Sequence, residues 1–258
     1  MDSEVSSSTP PTGGTRRLPT ALFLSETAAD LNEGAGFLQG LSAGEMESVR
    51  GLATAMSIAA GAPVFTQGDR HEGIWLIEDG LVRTYYIAPS GRELTLAFWT
   101  RGHFVGGPEV FGGGSHIWSA AAVEPTSLLY LKGSSIRQLV ERSPRFAICI
   151  IEGLVAKGKC YSALVQMLGT RPASARLAQL LLITGEVHGR HEGGHLLIER
   201  RLTHDEVARA VGTTRQWVTA MLDRLEKSGV IVTGRHSVVI KRPDQLRAIA
   251  EGGAGARV

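Results

Sequence analysis

From Pro144 to Leu168 the chain carries nothing that strongly stops a helix, and its residues are apolar on two separate faces. Serine followed by proline starts a helix well, because proline's fixed φ and missing N–H are tolerated at the first helical position; Gly169 and Pro172 supply the stop. A helix over 144–168 would be about 37 Å long. One seam reads Phe146, Ile150, Gly153, Lys157, Cys160, Leu164, Met167, and the other Ala147, Ile151, Leu154, Gly158, Tyr161, Val165, Leu168. A helix apolar on two faces must bury both, most simply by laying one on its own domain and the other on a twin helix across a two-fold axis. Lys157 would set like charges together at such an axis, whereas Gly158 lets two backbones approach closely. The dimer seam is therefore expected at Ile151, Leu154, Gly158, Tyr161, Val165 and Leu168. Burial of both faces inside a monomer is the alternative.

Upstream, short apolar runs at Ala62 to Phe65, Ile74 to Ile77, Leu94 to Phe98 and Leu128 to Leu131 alternate with Gly61, Gly68, Gly80, Gly91, Gly102 and Gly106. Strands parted by glycine turns at this spacing predict a compact β-barrel or roll. Residues 1 to 30 include Ser6-Ser7-Ser8-Thr9-Pro10-Pro11-Thr12-Gly13-Gly14, too poor in apolar surface to offset the entropy of ordering, and read as a disordered tail. Downstream of the long helix, Pro172 to about Thr184 reads as a second helix and Gly185 to His195 as a polar connection.

Local chemistry is most complete around residue 203. Thr203 can cap the amide of Glu206 while Glu206 returns to that of Thr203, and Leu202 can pack on Val207 as a staple. This helix turns Val207, Ala210 and Val211 inward and ends at Gly212. Thr213-Thr214 then caps a second helix whose Val218, Met221, Leu222 and Leu225 share one face. Two short helices parted by a glycine turn form a helix-turn-helix. The second helix exposes Arg215, Gln216, Thr219 and Ala220 in its first turns. Arginine and glutamine there have the donors for bidentate contacts with guanine and adenine. Val230-Ile231-Val232 and Ser237-Val238-Val239-Ile240, joined through Thr233-Gly234-Arg235-His236, predict a two-stranded wing. Thr203, Thr213, Thr214, Arg235 and Lys241 are the expected phosphate contacts. The whole chain carries 27 Lys+Arg against 25 Asp+Glu, but residues 171–247 carry 13 against 8, a local +5 that leaves −3 elsewhere. Positive charge concentrated on the motif suits duplex DNA as partner.

The expected domains are a tail (1–30), a sensing β-barrel (31–132), a dimerisation helix region (133–170), a winged helix-turn-helix (171–244) and a C-terminal tail (245–258). The longest apolar stretch, Phe146 to Val155, is broken by Glu152, so a soluble, cytoplasmic protein without a membrane partner is expected. Cys149 and Cys160 cannot supply the thiolates of an all-cysteine iron–sulfur cluster, and about three helical turns place them roughly 16 Å apart, beyond disulfide reach. They read as reduced, packed thiols. Catalysis on a cupin-type barrel would need two or three histidines and a carboxylate on a metal. The nearest match, His103 with Glu109, lacks a His-x-His companion, so no enzyme and no metal site are expected. His188, His191 and His195 read as a polar loop, with nickel or zinc binding as the alternative.

In this order the segments resemble the Crp/Fnr superfamily of bacterial transcription regulators. The resemblance spans about residues 38 to 242. It rests on Val64-Phe65-Thr66-Gln67-Gly68-Asp69, Ile74 to Arg83, Gly91-Arg92-Glu93, Gly102-His103-Phe104-Val105-Gly106, Arg176 to Leu181 and Leu202 to Gly229. It implies an α+β chain with a cyclic-nucleotide-binding-like β-barrel (a double-stranded β-helix), a long dimerisation helix and a winged helix-turn-helix. It further implies a homodimer on a near-palindromic operator, acting through RNA polymerase. By position Arg215, Gln216, Thr219 and Ala220 match its base-reading residues. The cyclic AMP receptor pattern has glutamate at Gln216 and arginine at Ala220, so its operator is not expected here.

Cyclic-nucleotide binders in the family follow Phe-Ile-Gly with a ribose-binding glutamate, where this chain has Gly107, then Pro108. Their Arg-Ser for the phosphate aligns with His116 and Ile117. Loss of the arginine removes a charge-assisted bidentate partner, so cyclic AMP is not expected to bind tightly, though Glu109 two residues on could restore a carboxylate. The remaining cavity is expected to be lined by Gly106, Gly107, Glu109, His116, Trp118, Tyr161 and Ser162. Its ligand is open. Haem on His103 or His116 and an effector-independent regulator are both left standing.

Overall fold

A computed structural model describes residues 40–199, 203–235 and 237–252. The expected N-terminal tail and the Leu202 staple lie outside the described residues. The first element among the described residues is helix α1 (Ala43–Leu52), capped by Ser42 and Glu45 reciprocally. Eight strands follow: β1 (Thr54–Ile58), β2 (Pro63–Phe65), β3 (Gly73–Asp79), β4 (Leu81–Ile87), β5 (Glu93–Thr100), β6 (Phe104–Val105), β7 (Ser119–Ala122) and β8 (Thr126–Lys132).

They form two antiparallel four-stranded sheets, ordered β1-β8-β3-β6 and β2-β7-β4-β5. Alternation along β5 turns Ala97 and Trp99 inward, as a half-buried strand requires. The expected barrel does not close: among the described residues no strand ladder joins the sheets, which face each other as a roll. One core cluster, with Ile74, Leu76, Phe104 and Leu131, packs under the helices that follow. The other, with Phe65, Val82, Trp99 and Leu128, lies between the sheets.

Helix α2 (Gly133–Arg142) leads into α3 (Pro144–Thr170), which starts as the sequence predicts, with Ser143 Oγ accepting from Phe146 N at 3.1 Å and Pro144 in the first turn. The first seam is buried as expected: Phe146, Ile150, Lys157, Cys160 and Met167 face the roll. The second seam is placed differently. Ile151, Gly158 and Val165 are exposed, but Leu154 packs on the core beneath, Tyr161 on the cluster between the sheets, and Leu168 beside Gly212. The exposed apolar stripe runs instead through Ile148, Ile151, Val155, Gly158, Ser162 and Val165. Both readings share a 3.5-residue period, so spacing alone could not separate them; the packed width of the roll does. It covers neighbouring turns on both sides of the Lys157 line and takes Leu154 and Tyr161 with it.

The C-terminal domain contains α4 (Ala173–His188), β9 (Gly189–Glu192), β10 (His195–Ile198), α5 (His204–Val211), α6 (Arg215–Lys227), β11 (Ile231–Thr233), β12 (Val238–Ile240) and α7 (Pro243–Ala250). Two expectations are corrected. The histidine-rich connection is a hairpin turned at Gly193-Gly194, both at positive φ, and with the wing it makes one sheet, β11-β12-β10-β9. The stretch from 245, read as a tail, lies in α7 as far as Ala250, with Leu246, Ile249 and Ala250 buried in the domain core. Pro243 in its first turn was the overlooked start signal. Among the described residues, no helix is long and apolar enough to cross a membrane.

Candidate nucleic-acid interface and effector site

Helices α5 and α6 are set by the local chemistry their sequence carries. Thr203 Oγ1 accepts from Glu206 N at 3.2 Å, and Glu206 Oε2 accepts from Thr203 N at 2.9 Å. Gly212 closes α5 at φ 73°, a left-handed conformation that disfavours side chains with a Cβ. Thr214 Oγ1 accepts from Trp217 N at 3.2 Å and starts α6. Val207, Val211, Val218, Leu222 and Leu225 lock the pair together in one core.

That packing leaves Arg215, Gln216, Thr219 and Ala220 exposed along α6. Arg215 Nη1 lies 3.8 Å from Asp205 Oδ2, a loose and solvated pair that a base could displace. Thr219 donates to the Arg215 carbonyl at 3.0 Å, and His204 Nδ1 lies 2.8 Å from the same hydroxyl. His204 was missed in the sequence because its partner is on the next helix. Thr214, Arg235 and Lys241 are exposed, while Thr203 and Thr213 are half-buried. The wing is tied to α6 by Glu226, whose carboxylate accepts from Thr233 N at 3.1 Å and from Thr233 Oγ1 at 2.8 Å.

The expected effector residues divide between two clusters. In the first, His116 stacks on Phe65 with centroids 4.0 Å apart and meets the His71 ring edge-on at 4.4 Å. His71 Nε2 accepts from Gly107 N at 2.8 Å, while Nδ1 of both histidines is buried without a hydrogen-bond partner. Burial, with the neighbouring His71, pushes His116 down to about 4. Gly106, Gly107 and Glu109 border this cluster. A Cβ on Gly107 would come within 2.8 Å of Glu109 Oε2 and 3.1 Å of His71 Nε2, so a side chain there would have to displace the end of Glu109 and crowd His71. Of the positions that the sequence singled out for a cyclic nucleotide, Gly107 brings no carboxylate, His116 is stacked on Phe65 and brings no guanidinium, and Ile117 is exposed.

The second cluster gathers Trp118 and Tyr161, at 5.5 Å between centroids, with Trp99. Its centre is Lys157, which the sequence reading placed only on a seam. The Lys157 ammonium lies 3.7 Å from the Trp99 ring centroid and 4.5 Å from that of Phe104, and donates to the Phe104 carbonyl. Burial pushes this amine down to about 7. Burial also drives Cys160 up to about 12, against the pull of Lys157, so the thiol is an inert part of the core. His103, held by the Thr100 carbonyl at 3.2 Å, is pushed down to about 4 by burial and by Lys157. Ser162, expected in the pocket, instead lies on the exposed stripe of α3.

Residues 55–143 match the cyclic nucleotide-binding domain model and residues 175–249 the Crp-like helix-turn-helix domain model. The cyclic AMP receptor protein of Thermus thermophilus is 30% identical over 192 residues, covering 74% of this chain and 86% of the relative. The global nitrogen regulator of Synechococcus elongatus is 25% identical over 188 residues, covering 72% and 85%. Among solved structures, a CRP/FNR-family transcriptional regulator of Thermus thermophilus superposes with a TM-score of 0.58 at 27% identity, covering 77% of this chain and 98% of that one. A β roll, a long helix and a capped helix-turn-helix in this order, matched over most of the length of these relatives, place the chain in the Crp/Fnr superfamily of transcription regulators.

Proposed function

We propose that the protein is a homodimeric, sequence-specific regulator that reads a near-palindromic DNA site with α6 in the major groove of each half-site. The observation that carries this is the first two turns of α6. Arg215, Gln216, Thr219 and Ala220 are exposed together on a helix held rigidly by Thr214 and the core behind it. Arg215 pairs with guanine, and Gln216 with adenine or a phosphate. Thr203, Thr213, Thr214, Arg235 and Lys241 supply phosphate contacts that set register. RNA polymerase is the partner through which occupancy becomes activation or repression, and the cytoplasm is where the protein meets both.

Two copies join along the exposed stripe of α3, where Gly158 permits close approach and Ile148, Ile151, Val155 and Val165 give each protomer an apolar seam. The effector is a small molecule other than cyclic AMP, a reading supported by His116 and Ile117 standing where the family's Arg-Ser would hold the cyclic phosphate. The test is footprinting of wild type and Arg215→Ala on a selected operator. The account expects Arg215→Ala to lose discrimination among operators by about tenfold or more while sedimenting as wild type. Unchanged footprints reject the assignment. No melting shift is expected with millimolar cyclic AMP.

A further inference from the structure

Helix α5 of the DNA-binding domain lies over the outer face of the β2-β7-β4-β5 sheet and leaves between them a cavity of about 270 Å³. Its apolar wall comes from both domains: Phe98, Ala121 and Val123 from the roll, Leu180 from α4, Val207 and Ala210 from α5. Its polar groups are unevenly matched. Arg83 donates to Glu93 Oε2 at 2.8 Å and to Thr95 Oγ1 at 3.4 Å. Arg209 Nε faces the same Glu93 oxygen at 3.7 Å, outside hydrogen-bond reach, and is buried with no hydrogen-bond partner. Glu206, a carboxylate on the wall itself, accepts from the Thr203 amide and hydroxyl that cap α5. Nearby, Arg92 donates to the Gly212 carbonyl and Arg176 to those of Val211 and Arg171. Two guanidinium groups thus share the single Glu93 carboxylate, and one keeps a buried donor unmet. Arg209 lines the cavity with a side chain 36% exposed and makes no hydrogen bond among the described residues, so the accessible part of its guanidinium is the group left to receive a ligand there.

We propose that this cavity binds a small organic dianion, a dicarboxylate or a phosphate monoester, whose charged head is received by Arg209 beside Arg83 and whose carbon skeleton lies on Phe98, Ala121 and Val207. Guanidinium forks take carboxylate and phosphate oxygens in the same way. A water's share of liquid volume is about 30 Å³, so the space holds a head group and a short carbon chain. Because the walls belong to two domains, the ligand fastens the DNA-binding domain to the roll and shifts operator affinity. That consequence rests on the DNA-binding reading; the binding site does not.

Calorimetry on the full chain uses succinate, glycerol 3-phosphate and inorganic phosphate as probes. The first two separate the carboxylate from the phosphate source, and the third tests the head group alone. At least one organic dianion is expected to bind saturably, once per chain, more tightly than inorganic phosphate. Arg209→Met should weaken it by about tenfold or more. Ala210→Leu, which fills the cavity without changing charge, should abolish it, and Arg215→Ala, out on α6, should leave it unchanged. Melting curves confirm that each variant is folded. No saturable heat from either organic probe overturns the proposal, as does binding that survives both Arg209→Met and Ala210→Leu or that is lost in Arg215→Ala. Equal affinity for inorganic phosphate overturns the organic skeleton. Operator binding measured alongside separates the two readings: dianion binding without DNA binding rejects the regulator and keeps the site, and the reverse rejects the site alone.

Discussion

In the C-terminal domain the residues proposed to act, Arg215, Gln216, Thr219 and Ala220, stand exposed on one short helix, whereas in the N-terminal domain the distinctive groups, His103, His116 and Lys157, are buried against aromatic rings. The first arrangement is fixed by neighbours within a few residues, through the caps at Thr203 and Thr214 and the turn at Gly212. The second is fixed by strands far apart in the chain, such as Phe65 on β2 meeting His116 just before β7. A surface set by local chemistry can change its specificity by single substitutions, while an interior set by long-range packing resists them.

The sharpest break between the regions is expected on α3, which serves both. Val155→Glu places a charge on the exposed stripe, where it costs the fold nothing. The account expects a folded monomer by sedimentation, and loss of the second half-site should lower operator affinity by about a hundredfold or more. A dimer of normal affinity would put the seam elsewhere.

Next comes Glu226→Ala, which frees Thr233 and loosens the wing. Operator affinity should drop several-fold, with a salt dependence shallower by about one phosphate contact, because Arg235 is no longer held in place. An unaltered salt slope would show that the wing does not touch DNA.

The N-terminal interior predicts an acid limb. His103 and His116 sit near 4 in the fold against 6.5 in the open chain. Between these values the unfolded state binds more protons, so stability is complete above pH 6.5 and is lost as pH falls towards 4. Denaturation series across that window should show the loss, and His116→Phe, which keeps the stack on Phe65, should flatten it. Parallel curves for the two proteins would refute buried neutral His116.

The smallest effect is expected at Lys157. Its folded pKa of about 7 lies below the usual 10.5, so the wild type should gain stability as pH rises through that interval. Lys157→Met fills the space between Trp99 and Phe104 without a charge and should equal or exceed the wild type at pH 6 by about 1 kcal/mol or less. Marked destabilisation on urea titration would mean that the ammonium holds the cluster together.

The sequence was most legible where a residue's partner is close in the chain. Ser143 before Pro144, the Thr203–Glu206 box and Gly212 each predicted the element they begin or end, and the exposed face of α6 followed from its apolar face. Where the partner is distant, the reading failed in physically specific ways. Leu154 and Tyr161 keep the heptad spacing of a dimer seam but are claimed by the roll. Gly193-Gly194 punctuates a hairpin as well as a loop, and only pairing of β10 with β12 decides between them. Nothing near His71 in sequence announces that it accepts from the Gly107 amide and stands against His116. The cavity at Arg209 exists only because two domains touch.

The central claim, that α6 reads a specific duplex sequence as part of a dimer, is tested most directly by selecting genomic DNA fragments with the purified protein and sequencing what is retained. The account predicts one enriched motif with two-fold symmetry, its half-site centres about 10 base pairs apart, obtained equally with and without cyclic AMP. Retention of fragments with no common motif would contradict sequence-specific reading, and a motif that emerges only with the nucleotide would contradict an effector other than cyclic AMP.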